Sequence, residues 1–129
     1  MPCTRFKCNP FEVGQTLTVN GVPKAGAEYF HVDIGSDSDV VLRIEPRFTA
    51  GQVIFNTLKN GNWKENVVHS GIPFKHGQDF TITVLFKHEE FVVTLPDGTK
   101  INYPNSFKAD KYCLLTLNGE VEFRNIEMK

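Results

Sequence analysis

Phe80-Thr81-Ile82-Thr83-Val84-Leu85-Phe86, a Lys87-His88-Glu89-Glu90 link, Phe91-Val92-Val93-Thr94-Leu95 and the tripeptide Pro96-Asp97-Gly98 form the stretch that decides the fold. Phe80, Ile82, Val84 and Phe86 recur at every second position, with Thr81 and Thr83 between them. A period of two puts alternate side chains on opposite faces of a strand, one for a core and one for water. The chain then reverses at Pro96-Asp97-Gly98, where Pro presets one turn dihedral and Gly accepts a positive φ. Working outward, the same grammar recurs in Thr16-Leu17-Thr18-Val19, followed by an expected Asn20-Gly21-Val22-Pro23 turn, and in Phe30-His31-Val32-Asp33-Ile34. Leu42 to Phe48, Gln52 to Thr57 and Trp63 to Val68 (around Asn60-Gly61), Lys100 to Tyr103, Tyr112 to Leu117 and Glu120 to Glu127 complete ten or eleven expected strands. No segment carries a sustained apolar i, i+3, i+4, i+7 stripe, so very little helix is expected. Short strands at this spacing predict one all-β domain over residues 1–129, a sandwich or barrel of antiparallel sheet.

Composition narrows the function classes. The 129 residues carry 14 Lys and Arg against 15 Asp and Glu, a formal net charge of -1 with no basic run. That balance argues against nucleic acid as a partner, since phosphate-backbone binding needs a cationic face. No apolar stretch approaches the roughly 20 residues of a spanning helix, so no membrane insertion is expected. Met1 to Lys7 lacks the apolar core of a secretory signal, and no Asn-x-Ser/Thr acceptor occurs. Cys3, Cys8 and Cys113 are odd in number and lack metal-ligand spacing. They read as reduced thiols of a cytosolic protein, with a Cys3–Cys8 or intermolecular bridge under oxidation as the alternative. His31, His69, His76 and His88 show no paired spacing, so neither a metal nor a cofactor is expected. His88-Glu89-Glu90 holds titratable groups at a hairpin tip, where no water-excluding pocket supports catalysis. An enzyme is not expected.

Leu42-Arg43-Ile44-Glu45-Pro46-Arg47-Phe48 carries the most chemistry. Alternation sets Arg43, Glu45 and Arg47 on one face and Leu42, Ile44 and Phe48 toward the core. Two guanidiniums flanking a carboxylate offer many fixed donors and an acceptor, suited to gripping hydroxyl groups. The plainer reading is a surface ion-pair row worth at most about 1 kcal/mol per pair. Trp63, the only tryptophan, follows the polar Lys59-Asn60-Gly61-Asn62 turn, where no core is expected. An exposed indole presents a flat apolar surface to the C–H face of a sugar ring, although most single tryptophans are buried packing residues. Asn56, on the preceding strand, adds an amide that both donates and accepts. His31 and Asp33 lie on a neighbouring strand, facing either the same groove or simply water.

These residues, in this order, together with Ile54-Phe55-Asn56, Ile72-Pro73-Phe74, Gly77, Leu95-Pro96-Asp97-Gly98 and Tyr103-Pro104-Asn105, resemble a galectin carbohydrate-recognition domain over essentially the whole chain. A fatty-acid-binding barrel of similar length would need a helical lid early in the chain, and Thr16 to Ile34 reads strand–turn–strand instead. The resemblance implies a jelly-roll β-sandwich of two antiparallel sheets with a sugar groove across the concave one. It implies a lectin for β-galactosides, a homodimer paired through terminal strands (the first dozen residues and Glu120 to Lys129) that crosslinks glycans, and cytosolic synthesis with leaderless export.

The family's motif is only partly kept. Where galectins usually carry His-x-Asn-x-Arg, this chain has Arg43, Glu45 and Arg47. Asn56 and Trp63 match, but the Glu and Arg that usually follow the Trp are replaced by Asn66 and Val68. Glu65 is expected on the opposite face. The link from Arg47 to Asn56 is also shorter than usual. In galectins the His, first Asn and Arg meet the axial O4 of galactose, while the later Asn and Glu meet O6. The expected site is therefore Arg43, Glu45, Arg47, Asn56, Trp63 and Asn66, with Glu45 taking over the partnering of Arg47. An internal Arg43–Glu45–Arg47 lock that competes with ligand is the contrary expectation. Each hydroxyl contact that is not reproduced costs about 1–3 kcal/mol. Altered affinity follows, or preference for another hexose such as mannose, or loss of sugar binding in favour of a structural or protein-interaction role.

Overall fold

The computed structural model describes residues 3–129, with side chains from Pro10 onward. Twelve strands build two antiparallel sheets, and no helix occurs among the described residues. One sheet runs in the order β1 (Cys3–Glu12), β11 (Lys111–Gly119), β3 (Phe30–Ser36), β4 (Asp39–Arg47), β5 (Gln52–Lys59) and β6 (Asn62–Trp63), with β7 (Val67–Ser70) also on β5. The other is β10 (Lys100–Pro104), β9 (Glu90–Thr94), β8 (Phe80–Phe86), β2 (Thr16–Pro23) and β12 (Val121–Met128). This is the jelly-roll sandwich that the alternation and the resemblance led us to expect. β1 and β12, from the two ends of the chain, are edge strands.

Apolar faces of both sheets meet in one core. Leu17, Val19, Phe30, Val32, Leu42, Ile44, Phe55, Ile82, Val84, Phe86, Phe91 and Leu117 are essentially inaccessible to water. Phe30 is its aromatic hub: its ring stacks on Phe80 at 5.1 Å, meets Phe74 edge-on at 5.5 Å and lies 6.4 Å from Phe48. Tyr103 reaches across the sandwich from β10, its hydroxyl 2.7 Å from that of Thr57 on β5. Thr57 in turn donates to the Val41 carbonyl. That tie fixes β5 from beneath, one residue from Asn56.

Turn chemistry follows the sequence at two hairpins. Asn60 and Gly61 both have positive φ, 52° and 78°, which suits the twist of a two-residue hairpin joining β5 to β6. At Pro96-Asp97-Gly98 the Gly98 N–H donates to Leu95 O, and Asp97 accepts from Thr99 N–H.

Three expectations need correction. Asn20-Gly21-Val22-Pro23 is not a turn: β2 continues through Pro23, and the reversal follows it. Asn20 donates to Phe80 O, and a Cβ at Gly21 would sit 2.8 Å from Glu122 O, so this glycine serves close strand packing. Trp63 to Val68 is not one strand; it breaks after Trp63 and resumes at Val67. β1 brings the count to twelve, where ten or eleven were expected, since a Pro-containing run shows no clean alternation. β3 itself is paired on both sides, with β11 and β4. The Cys3–Cys8 question lies outside the described side chains; Cys113 is exposed.

Gly35 sits where the β3–β4 register shifts, and a Cβ there would lie 2.0 Å from Asp39 O and 2.9 Å from Val40 Cα. Both are backbone atoms, so relief requires moving the hairpin. Gly35→Ala should lose about 2–4 kcal/mol of unfolding free energy by urea denaturation. A loss below roughly 0.5 kcal/mol would show that the hairpin gives way freely.

Candidate functional site

Strand register builds the site. Asp33 on β3 lies opposite Arg43 on β4, and Arg43 lies opposite Asn56 on β5. Period two then points Arg43, Glu45 and Arg47 away from the core. A register shift between Val40 and Arg43 lets both Val41 and Leu42 enter the core before the alternation resumes. Trp63 follows the Asn60-Gly61 turn and is 42% exposed. Beyond it, the broken strand bends Lys64 and Asn66 back toward Asn56.

The outcome is an open groove of about 340 Å³ lined by Arg43, Glu45, Arg47, Ile54, Asn56, Trp63, Lys64 and Asn66. All six residues expected from the sequence are brought together there. Lys64 and Ile54 were not expected: Lys64 lies in an irregular link that no strand period marks, whereas Ile54 is two residues before Asn56 on β5 and the alternation there could have shown it. Glu65 is exposed in that link and does not line the groove. Val68 pairs with Ile54 across β5 and β7 and is 47% exposed.

The polar groups are held rather than loose. Arg43 Nε and Nη2 donate to Asp33 Oδ1 and Oδ2, at 2.8 Å each. A bidentate pair of this kind fixes the guanidinium plane as well as its position. That plane lies over the indole of Trp63, with Cζ 4.4 Å from the ring centroid, a cation–π contact. Arg47 Nε donates to Glu45 Oε2 at 2.6 Å, the partnership expected of Glu45. Arg43 Nη1 remains 3.7 Å from Glu45 Oε1, so the internal lock on Arg43 is made mainly by Asp33. Asn56 Nδ2 donates to Lys64 O at 2.9 Å and Asn66 Oδ1 at 2.8 Å, while its Oδ1 accepts from Thr57 N–H. Asn66 therefore orients Asn56 and keeps its own amide hydrogens for a ligand.

Asp33 is 5% exposed, and His31 beside it 8%. Burial pushes the Asp33 carboxyl up, but His31 and the Arg43 fork outweigh it, holding the pKa below the usual 3.8. His31 Nδ1 lies 3.3 Å from Asp33 Oδ2 without completing a hydrogen bond.

An antiparallel jelly roll with a tryptophan-walled polar groove on one sheet defines a class of carbohydrate-binding domain. A galactoside-binding lectin family model matches residues 3–128. The β-galactoside-binding lectin of Electrophorus electricus is 39% identical over 124 residues, covering 92% of each chain. The crystal structure of galectin-1-L2 from Dario rerio superposes with a TM-score of 0.94 at 36% identity, covering 98% of this chain and 99% of that one. Congerin II, solved with lactose and MES, gives a TM-score of 0.92 at 25% identity over 99% of this chain and all of its own. The chain belongs to the galectins, the galactoside-binding lectin family, whose members are carbohydrate-binding proteins rather than enzymes.

Because the folded Asp33 pKa is depressed, its contribution to stability is present above the unfolded value and is lost as pH falls through the folded one. Asp33→Asn should cost about 1.5–3 kcal/mol near neutral pH. The gap from the parent protein should close as the pH is lowered well below 3.8. Urea midpoints measured across that range check it, and a gap independent of pH would contradict it.

Proposed function

We propose that the groove binds β-galactosides, lactose-like ligands, with an affinity altered by the substitutions around Arg43. The observation that carries this reading is the convergence of Trp63, Arg47, Asn56, Arg43, Glu45 and Asn66 in one open groove. Trp63 supplies the flat apolar surface. Arg47 keeps Nη1 and Nη2 for ligand oxygens, and Asn66 keeps its amide hydrogens. The Electrophorus electricus relative is a β-galactoside-binding lectin by name, and congerin II was solved with lactose. Both support carrying the ligand class over to this chain.

Arg43 sets the altered affinity. A pyranose that stacks on Trp63 must share the indole with, or displace, a guanidinium anchored by two charge-assisted bonds. The same contact favours the second reading, a groove that prefers another hexose such as mannose or takes no sugar and leaves the fold to a structural or protein-interaction role. Pairing of the β1 and β12 edges would give a homodimer that crosslinks glycans by presenting two grooves. The whole chain then acts as one recognition domain, made in the cytosol and acting outside the cell.

Calorimetric titration of lactose should show saturable binding that weakens at least about tenfold in Trp63→Ala, the loss of one stacking surface. The double variant Arg43→His with Glu45→Asn should bind lactose more tightly than the parent by a similar factor, because it frees the indole and restores a neutral donor–acceptor pair. Unchanged affinity in the double variant would contradict the role given to Arg43. Binding of mannose but not lactose, or of neither, would favour the second reading.

A further inference from the structure

The groove is unbalanced in two ways that the galactoside reading does not use. Its lining carries three cationic side chains, Arg43, Arg47 and Lys64, against Glu45, and with Asp33 beneath Arg43 counted as well one cation remains in excess. Most of its acceptors are also already engaged. Both Asp33 oxygens accept from Arg43, Glu45 Oε2 accepts from Arg47, Asn56 Oδ1 from Thr57 and Asn66 Oδ1 from Asn56. Donors remain in surplus: Nη1 and Nη2 of the half-exposed Arg47, Nη1 of Arg43, the Asn66 amide and the exposed ammonium of Lys64. Lys64 makes no ion pair among the described residues, while Arg43 and Arg47 are held in place by carboxylates.

A neutral hydroxyl uses only part of this donor surplus. Each one brings a hydrogen that needs an acceptor, and Glu45 Oε1 is the main carboxylate oxygen left, 3.7 Å from Arg43 Nη1. A sulfate ester or carboxylate brings oxygens and no hydrogen. Guanidinium forks match such groups geometrically, and charge-assisted bonds are about twice as strong as neutral ones. Arg47, held through Nε by Glu45, needs little rearrangement to present Nη1 and Nη2 to an anion, which lowers the entropic cost of binding.

We propose that the preferred ligand is a galactoside bearing an anionic group, a sulfate ester or a uronate carboxylate, recognised by Arg43, Arg47 and Lys64. This deepens the proposed function and rests on it. The indole and Asn66 hold the sugar, and the cationic row selects the charge on it. Exposure of the groove makes the selection sensitive to ionic strength.

The test is calorimetry on the whole chain with methyl β-galactoside, its 3-sulfate and 6-sulfate, methyl β-galacturonoside and sodium sulfate. At roughly 20 mM salt at least one anionic sugar should bind about tenfold more tightly than the neutral parent, and the advantage should shrink severalfold near 0.5 M. Lys64→Gln should cut the anionic-to-neutral affinity ratio to about threefold or less, an exposed position where the change leaves the fold intact. The sulfate and uronate arms identify which anion is read. Equal or weaker binding of every anionic form, a preference indifferent to salt, or inorganic sulfate binding as tightly as a sulfated sugar overturns the proposal. Binding of the neutral galactoside in those cases leaves the galactoside reading standing. Failure of every sugar, neutral and charged, overturns both.

Discussion

The register that sets Asp33 opposite Arg43, and Arg43 opposite Asn56, is the constraint on which the groove depends. A slip of one residue in either pairing would turn Arg43 and Glu45 into the core and expose Leu42 and Ile44. The apolar faces prevent it, because Val32, Ile34, Leu42, Ile44, Val53 and Phe55 are all buried. The core thereby determines where the polar row stands, and the Asp33–Arg43 fork reinforces the same alignment from the other face. Neither face alone would suffice: burial does not tell Arg43 which way to lie along the groove, and an ion pair does not hold a sheet together.

Within that frame the groove is organised by carboxylates positioned beneath cations. Asp33 aims Arg43 across Trp63, and Glu45 aims Arg47 along the strand. Both carboxylates are under one tenth exposed, a burial that costs free energy unless their oxygens are met. Charge-assisted bonds from the two guanidiniums offset it and leave the outer nitrogens free. A rigid donor array with an aromatic wall suits a shallow polar ligand, since little ordering remains to be done on binding.

Much of this was legible in the sequence, for physical reasons. Period-two alternation in Phe80–Phe86 and Leu42–Phe48 needs no tertiary information, and Asn60-Gly61 specifies its own turn. The galectin resemblance rested on residues spread across the whole chain, and the family match bears it out. What was not legible concerns relations between strands. Asp33 as the partner of Arg43 is a matter of register, which a single strand does not encode. The stacking of Arg43 on Trp63 depends on the break after Trp63, invisible where the apolar and polar residues continue to alternate loosely through Val68. Asn20-Gly21 misled for the opposite reason: its composition is that of a turn, but the glycine is needed to let β12 and Phe80 approach β2.

If the groove takes a galactoside, the sugar occupies the face of Trp63 despite the guanidinium above it. The protein has a single tryptophan, hence one indole N–H resonance. A lactose titration followed at that cross-peak in a 1H–15N spectrum reads occupancy of the indole face. Sugar stacking on Trp63 should give a saturable shift of the indole peak, accompanied by shifts in the side-chain resonances of Arg43 and Asn66. An indole peak that stays fixed at saturating lactose, while any other region responds, would contradict it.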